Sequence, residues 1–358
     1  MTEAAQGDEG FGLYVHWPFC LSKCPYCDFN SHVAAQVDQQ IWRAHLLTEL
    51  AYFAARTPGK ILTSIFFGGG TPSLMDPATT HALIEAARGH WRTANDLEIT
   101  LEANPGTVDA ARFAAFRAAG VTRLSMGVQA LNDADLKFLG RRHDVAEART
   151  AWRAAARIYE RVSFDLIYAR PGQDPAAWRG ELDEALREVR DHGITHLSLY
   201  QLTMEEGTAM FDAHARGAFV LPDEDTGAAL FEDTQAICAG AGYPAYEISN
   251  HARPDAQCRH NLTYWRGGDY VGVGPGAHGR ITENGRVRAT RQVKAPAFWL
   301  KKVGAAGHGT QEEETVSADA RARELVMMGL RLTDGLNRAR FARLAGRPAE
   351  AVFNAGAM

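Results

Sequence analysis

The 358-residue chain has no run of about 18 apolar residues, the least a membrane-crossing helix requires, so its sequence offers no spanning segment. It has no excess of positive charge either. Its 38 Lys and Arg stand against 43 Asp and Glu, a formal charge of −5, which leaves no field to neutralise a phosphate backbone and makes nucleic acid an unsuitable partner. Residues 1–10 are polar and acidic, without the apolar stretch of a secretory signal or the basic character of a transit peptide. They read as a mobile tail, and a cytoplasmic location follows. Cysteine is scarce: there are five, an odd number. Three of them fall within eight residues, which suits metal binding in a reducing compartment and argues against a disulfide framework. Solenoid repeats and low-complexity tracts are absent, which excludes an array or a disordered chain.

What is present is ordinary for a globular protein: 46% hydrophobic and 23% charged residues, in a length that suggests one large domain and a smaller one. Apolar runs rich in β-branched and aromatic residues recur at 13–17, 64–67, 97–103, 123–128, 163–168 and 196–202, and read as six buried strands. Between them, 39–55, 77–87, 108–119, 145–159 and 176–189 carry apolar residues at helical spacing. The expected fold class is α/β. Alternation of this kind requires parallel crossovers and predicts a partial (β/α)6 TIM-like barrel over 11–205, with chemistry at the strand ends. After residue 205 the alternation stops. A helix at 224–241, a Gly- and aromatic-rich stretch to 279, and a helical pair at 321–332 and 338–344 make 206–358 a smaller accessory α+β region.

The first strand runs into a loop with the spacing Cys-x3-Cys-x2-Cys, formed by Cys20, Cys24 and Cys27. Three thiolates so spaced can wrap one iron–sulfur cube and leave its fourth iron without a protein ligand. That iron can be chelated by an amine and a carboxylate, the groups on the methionyl end of S-adenosylmethionine. Structural zinc is the alternative, and would need Asp28 or His32 as a fourth ligand.

The loop, with Tyr26 beside the last cysteine, resembles the signature of the radical S-adenosylmethionine superfamily, and the similarity extends to roughly residue 280. The resemblance implies a [4Fe-4S] cluster that, when reduced, cleaves S-adenosylmethionine to a 5′-deoxyadenosyl radical. It also implies a cofactor pocket. Gly69, Gly70 and Thr71, after the strand Phe66-Phe67-Gly68, match the glycine motif at the methionyl ammonium; a simple turn is the alternative. Glu102 and Gln129, at the next two strand ends, match ribose contacts. Arg141 matches a partner for the methionyl carboxylate, although a solvated helix end at Arg141-Arg142 is equally compatible with spacing. Asp165 supplies a further acceptor or a hydrogen bond between strands, and Tyr14 is either a cofactor contact or a core tyrosine.

Within the superfamily the chain is most similar to the group that holds oxygen-independent coproporphyrinogen III oxidase and the HemW haem chaperones. Phe29 stands where the oxidase carries a further cysteine, and only 19 residues precede Cys20, fewer than in the oxidase. His260-Asn261-Leu262-Thr263-Tyr264-Trp265 resembles the His-Asn-x-x-Tyr-Trp motif of the chaperones. This implies haem binding, with His260 or Cys258 as axial ligand and Tyr264 and Trp265 against the macrocycle. Loop hydrogen bonds and core aromatics are the alternative. The stretch 272–279 is expected to be a flexible cover for the barrel, with His278 a weaker ligand candidate, and the C-terminus reads as shortened. Two positions depart from the pattern: Ala169-Arg170 replaces a common Gly-Leu, and His251 replaces an apolar residue. The expected function is a haem carrier that delivers to acceptor proteins, membrane-associated respiratory proteins among them, and the alternative is oxidative decarboxylation of coproporphyrinogen III.

Overall fold

The computed structural model describes residues 7–352. Six strands, β1 (Phe11–Trp17), β2 (Ile61–Gly69), β3 (Arg92–Ala103), β4 (Arg123–Gln129), β5 (Arg161–Tyr168) and β6 (His196–Gln201), pair in parallel in chain order. Helices follow the strands: α1 (Gln39–Arg56), α2 (Pro77–His90), α3 (Ala110–Ala118), α4 (Asp133–Phe138), α5 (Val145–Ile158) and α6 (Pro175–Asp191). The helices start where they do for a local reason. Asp38, Asp76, Asp109, Asp144 and Asp174 each accept a backbone N–H of the first turn, satisfying donors that the helix itself leaves free. This is the α/β partial barrel expected from the alternation.

The strands alternate more sharply than their apolar runs suggest. Leu13, Val15, Ile65, Phe67, Ile99 and Leu101 point to the helix layer and are fully buried. Residues of the opposite parity are largely polar: Tyr14 pairs with Phe66, Glu102 with Ser125, and Asp165 with Ser198. One face of the sheet therefore holds the core, and the other is free for chemistry.

The chain beyond residue 205 is continuous with this sheet. It contains α7 (Ala209–Ala215), α8 (Glu224–Gly240), β7 (Asn250–Ala252), α9 (Arg259–Trp265), β8 (Asp269–Val273), β9 (His278–Glu283), β10 (Arg286–Gln292), α10 (Pro296–Ala306), β11 (Thr310–Thr315), α11 (Ala318–Gly329) and α12 (Arg338–Ala345). β7 adds antiparallel to β6, while β8 adds parallel to β1 and starts an antiparallel run through β11. The sheet order is thus β11-β10-β9-β8-β1-β2-β3-β4-β5-β6-β7.

Three expectations are corrected here. The His260 motif is helix α9, not a loop. The glycine stretch is strand and turn, because its glycines permit close packing: a Cβ on Gly272 would lie 2.0 Å from the His278 carbonyl oxygen, and one on Gly274 2.3 Å from that of His16. In the expected tail, residues 1–6 lie outside the described residues, but Asp8 and Glu9 are ion-paired with Arg340 and Arg343 of α12. Among the described residues, no helix is long and apolar enough to cross a membrane.

Candidate cluster and cofactor site

The free face of the sheet and the loop after β1 enclose a cavity of about 680 Å³. Every residue assigned to the cluster or the cofactor lines it except Tyr14, which lies in an adjoining cavity of about 510 Å³ that shares Phe29, Gly69 and Glu102 with the first. All five cysteines are free. Cys20 takes a hydrogen bond from the Thr71 hydroxyl at 3.3 Å, and the Arg141 guanidinium reaches Cys24 Sγ at 3.5 Å. Burial pushes the Cys20 and Cys27 thiols up from their ordinary value, a cost that a metal ligating the thiolate form would offset.

Among the described residues, no three His, Cys, Asp or Glu side chains gather closely enough to hold a single metal ion. His32 Nε2 is occupied, bonded to Asn30 Oδ1 at 3.2 Å.

The pocket floor is built for close approach. Gly69 has φ +111°, and a Cβ there would sit 2.6 Å from the His16 ring; one on Gly70 would sit 2.7 Å from the Phe19 carbonyl oxygen. Gln129, at a break in the β4–β5 register, holds φ +80°. A non-glycine residue in that region is strained, and such strain is concentrated at functional sites. Glu102 accepts the Gly69 N–H at 3.2 Å, and its burial, with Asp165 nearby, raises its pKa to about 8. Burial likewise raises Asp165 to about 6 despite help from Ser198.

Arg141 is the hub between loop and pocket. Besides Cys24 it reaches the Tyr26 hydroxyl at 3.4 Å, Asn104 Oδ1 at 2.6 Å and the Gly127 carbonyl at 2.6 Å, which removes the solvated reading. Its Nε is buried without a partner, an orphan donor at the cavity wall. Sequence reasoning missed Asn104, which also donates to Thr71 Oγ1 at 3.0 Å; its position two residues after Glu102 was the available signal. It also missed Ser125, Tyr200 and Arg331, which line the same cavity from distant segments.

Residues 14–185 match the Radical SAM superfamily, and residues 316–358 match the HemN C-terminal domain. The chain is 40% identical over 337 residues to Radical S-adenosyl methionine domain-containing protein 1, mitochondrial, of Bos taurus, covering 93% of this chain and 75% of that protein. The chain belongs to the radical S-adenosylmethionine superfamily. It is also 39% identical to Heme chaperone HemW of Escherichia coli (strain K12), covering 93% of this chain and 86% of that one. In fold it is similar to coproporphyrinogen III oxidase (HemN) from Escherichia coli, with a TM-score of 0.77 at 22% identity over 96% of this chain and 80% of that chain. Membership of the superfamily implies a [4Fe-4S] cluster and S-adenosylmethionine. The three thiols, the glycine floor and the polar wall fit both.

The residues assigned to haem do not share one place. Tyr264 and Trp265 line the 510 Å³ cavity. His260 lies behind it, buried, with Nδ1 bonded to Ser64 Oγ at 2.9 Å and Nε2 to the Tyr264 hydroxyl at 2.7 Å. Cys258 is also buried, its thiol directed at Glu98 Oε1 at 3.6 Å. Both ring nitrogens of His260 are thus engaged, and neither His260 nor Cys258 lines the cavity.

Proposed function

We propose that this protein carries haem and passes it to acceptor proteins, on a scaffold that also holds a [4Fe-4S] cluster and S-adenosylmethionine. The observation that carries the reading is the second cavity. It abuts the cluster cavity, has aromatic walls in Tyr264, Trp265 and Tyr270, and carries the cationic side chains Arg280, Lys294 and Arg321. A flat apolar macrocycle with carboxylate arms suits such a lining. Relatives named Heme chaperone HemW, at 38–39% identity over nearly the whole chain, support it, as does Phe29, which puts an aromatic ring at the wall common to the two cavities.

Bound together, the reduced cluster and S-adenosylmethionine supply one-electron reductive cleavage of the sulfonium. The chain's own residues hold and orient. Cys20, Cys24 and Cys27 would ligate iron, Arg141 donates toward Cys24 and would offset thiolate charge, and Glu102 and Gln129 would accept from ribose hydroxyls. Five free thiols suit a reducing compartment, such as the cytoplasm.

Anaerobically reconstituted protein titrated with haem is expected to saturate at one haem per chain. With coproporphyrinogen III, reductant and S-adenosylmethionine it is expected to yield no protoporphyrinogen. Absence of saturable haem binding sinks the carrier reading, and protoporphyrinogen formed with matching methionine replaces it with the oxidase.

A further inference from the structure

We infer that the axial ligand to haem iron is His278, that Lys294 and Arg280 receive the propionates, and that His260 only positions Tyr264. This rests on the haem-carrier reading and deepens it. The argument begins with the donors that line the 510 Å³ cavity. No cysteine is among them, and the imidazoles are His16 and His278. His16 is buried and has both nitrogens committed: Nδ1 accepts from the Tyr14 hydroxyl at 3.0 Å, and Nε2 donates to the Asn30 carbonyl at 2.9 Å. His278 is exposed on β9, and among the described residues its ring makes no hydrogen bond or ion pair. It is therefore the available imidazole on this wall, and imidazole is a common haem ligand.

The surrounding groups match the rest of the molecule. His278 and Arg280 are two residues apart on one strand, so both side chains leave the same face of the sheet, and both line the cavity. Arg280 and Arg321 share the carboxylate of Glu324, at 2.9 and 3.2 Å, which leaves this end of the cavity net positive. Lys294 Nζ has no anionic partner among the described residues. Cations so placed pair with two propionate carboxylates. For the ring faces, Tyr264 stands edge-on to Tyr270 at 4.6 Å, and Trp265 carries the Arg331 guanidinium over its ring at 4.3 Å. The Trp265 Nε1 is buried without a partner.

The His-Asn-x-x-Tyr-Trp motif then has a different division of labour from the one its sequence suggests. His260 and Tyr264 are four residues apart on α9, hence on one helix face. The imidazole fixes the tyrosine hydroxyl from behind, at 2.7 Å. Since that hydroxyl is bonded inward, Tyr264 offers haem its ring rather than its oxygen.

The test is haem titration of anaerobically reconstituted full-length protein, followed by optical and electron paramagnetic resonance spectra. Wild type is expected to bind one haem with an imidazole-ligated spectrum. His278→Ala is expected to keep the wild-type iron and sulfide content and melting temperature, because the side chain is exposed and unbonded. It is expected to lose the imidazole-ligated spectrum, bind haem about tenfold or more weakly, and recover both properties when free imidazole is added. Lys294→Glu is expected to weaken binding while leaving the spectrum unchanged. Wild-type spectrum and affinity in His278→Ala overturn the ligand assignment and leave the carrier reading standing. Failure of the wild type to saturate overturns both.

Discussion

Glu102 and Asp165 both line the cofactor cavity, with pKa values raised to about 8 and about 6, in both cases chiefly through burial. For Glu102 the sign is definite. The folded state holds the proton more tightly than the unfolded chain, whose value is 4.5, so its contribution to stability is full below that value and is lost as pH rises through about 8. Glu102→Gln removes the ionisation. In cluster-free, ligand-free protein the variant is expected to melt close to wild type at acidic pH and higher by several degrees at alkaline pH, while binding S-adenosylmethionine more weakly. Melting curves across that range check it; a gap that narrows with rising pH would contradict the assignment. The two departures from the family pattern also have residue-scale explanations. Ala169 holds φ +57°, a conformation that costs a non-glycine residue roughly 1–2 kcal/mol, which is why glycine is usual there. Next to it, Arg170 is buried and anchored by Glu181 and Asp135. His251 is fully buried with no well-formed hydrogen bond to either nitrogen, and burial holds it neutral with a pKa of about 4, consistent with a site that otherwise takes an apolar side chain.

The elements most legible in the sequence were those with strong local signals. All six parallel strands were visible because each carries a buried apolar row, and the long helices because their apolar residues recur at helical spacing and end up buried against the sheet. The cysteine loop and the glycine floor were legible for the same reason: each is a short contiguous segment. Helices α4, α7 and α9 were not, since six or seven residues give fewer than two turns of periodicity. Missing α9 had the larger consequence, because a loop histidine is free to ligate and a histidine on a buried helix is not. Here His260 stacks on Phe66, with ring centroids 5.2 Å apart, and links Ser64 to Tyr264. His260→Ala removes two hydrogen bonds and leaves the Ser64 hydroxyl buried. It is expected to cost about 2 kcal/mol or more of stability, seen as a lower urea midpoint, while the protein that remains folded keeps the wild-type haem spectrum. A changed spectrum in fully folded His260→Ala would return the ligand role to His260.

At the scale of the whole molecule, the sequence offered Tyr264, Trp265 and His278 one by one but not the cavity they line together, because strand pairing assembles it. β8 pairs with β1 although more than 250 residues separate them, with Phe11 opposite Asp269 and Val15 opposite Val273, and this carries His278, Arg280 and Lys294 to the side of Glu102. The boundary expected at residue 205 thus falls within one continuous sheet. A fragment ending there would bare the β1 edge now covered by β8 and the β6 edge now covered by β7. It would also lose α10 and the antiparallel strands beyond β8, and so expose apolar residues now packed against them, including Trp42, which stacks on Trp299 with ring centroids 5.2 Å apart. Long unpaired edges bordering an apolar core aggregate rather than fold. Full-length protein is expected to unfold in a single cooperative transition, with circular dichroism and tryptophan fluorescence coincident. The 1–205 fragment, although it contains all three cluster cysteines, is expected to remain aggregated and to take up no stoichiometric iron and sulfide on reconstitution. A soluble fragment that loads a cluster, or two separated transitions in the intact chain, would mean that the parallel unit is stable alone and that the strands beyond it are an appendage.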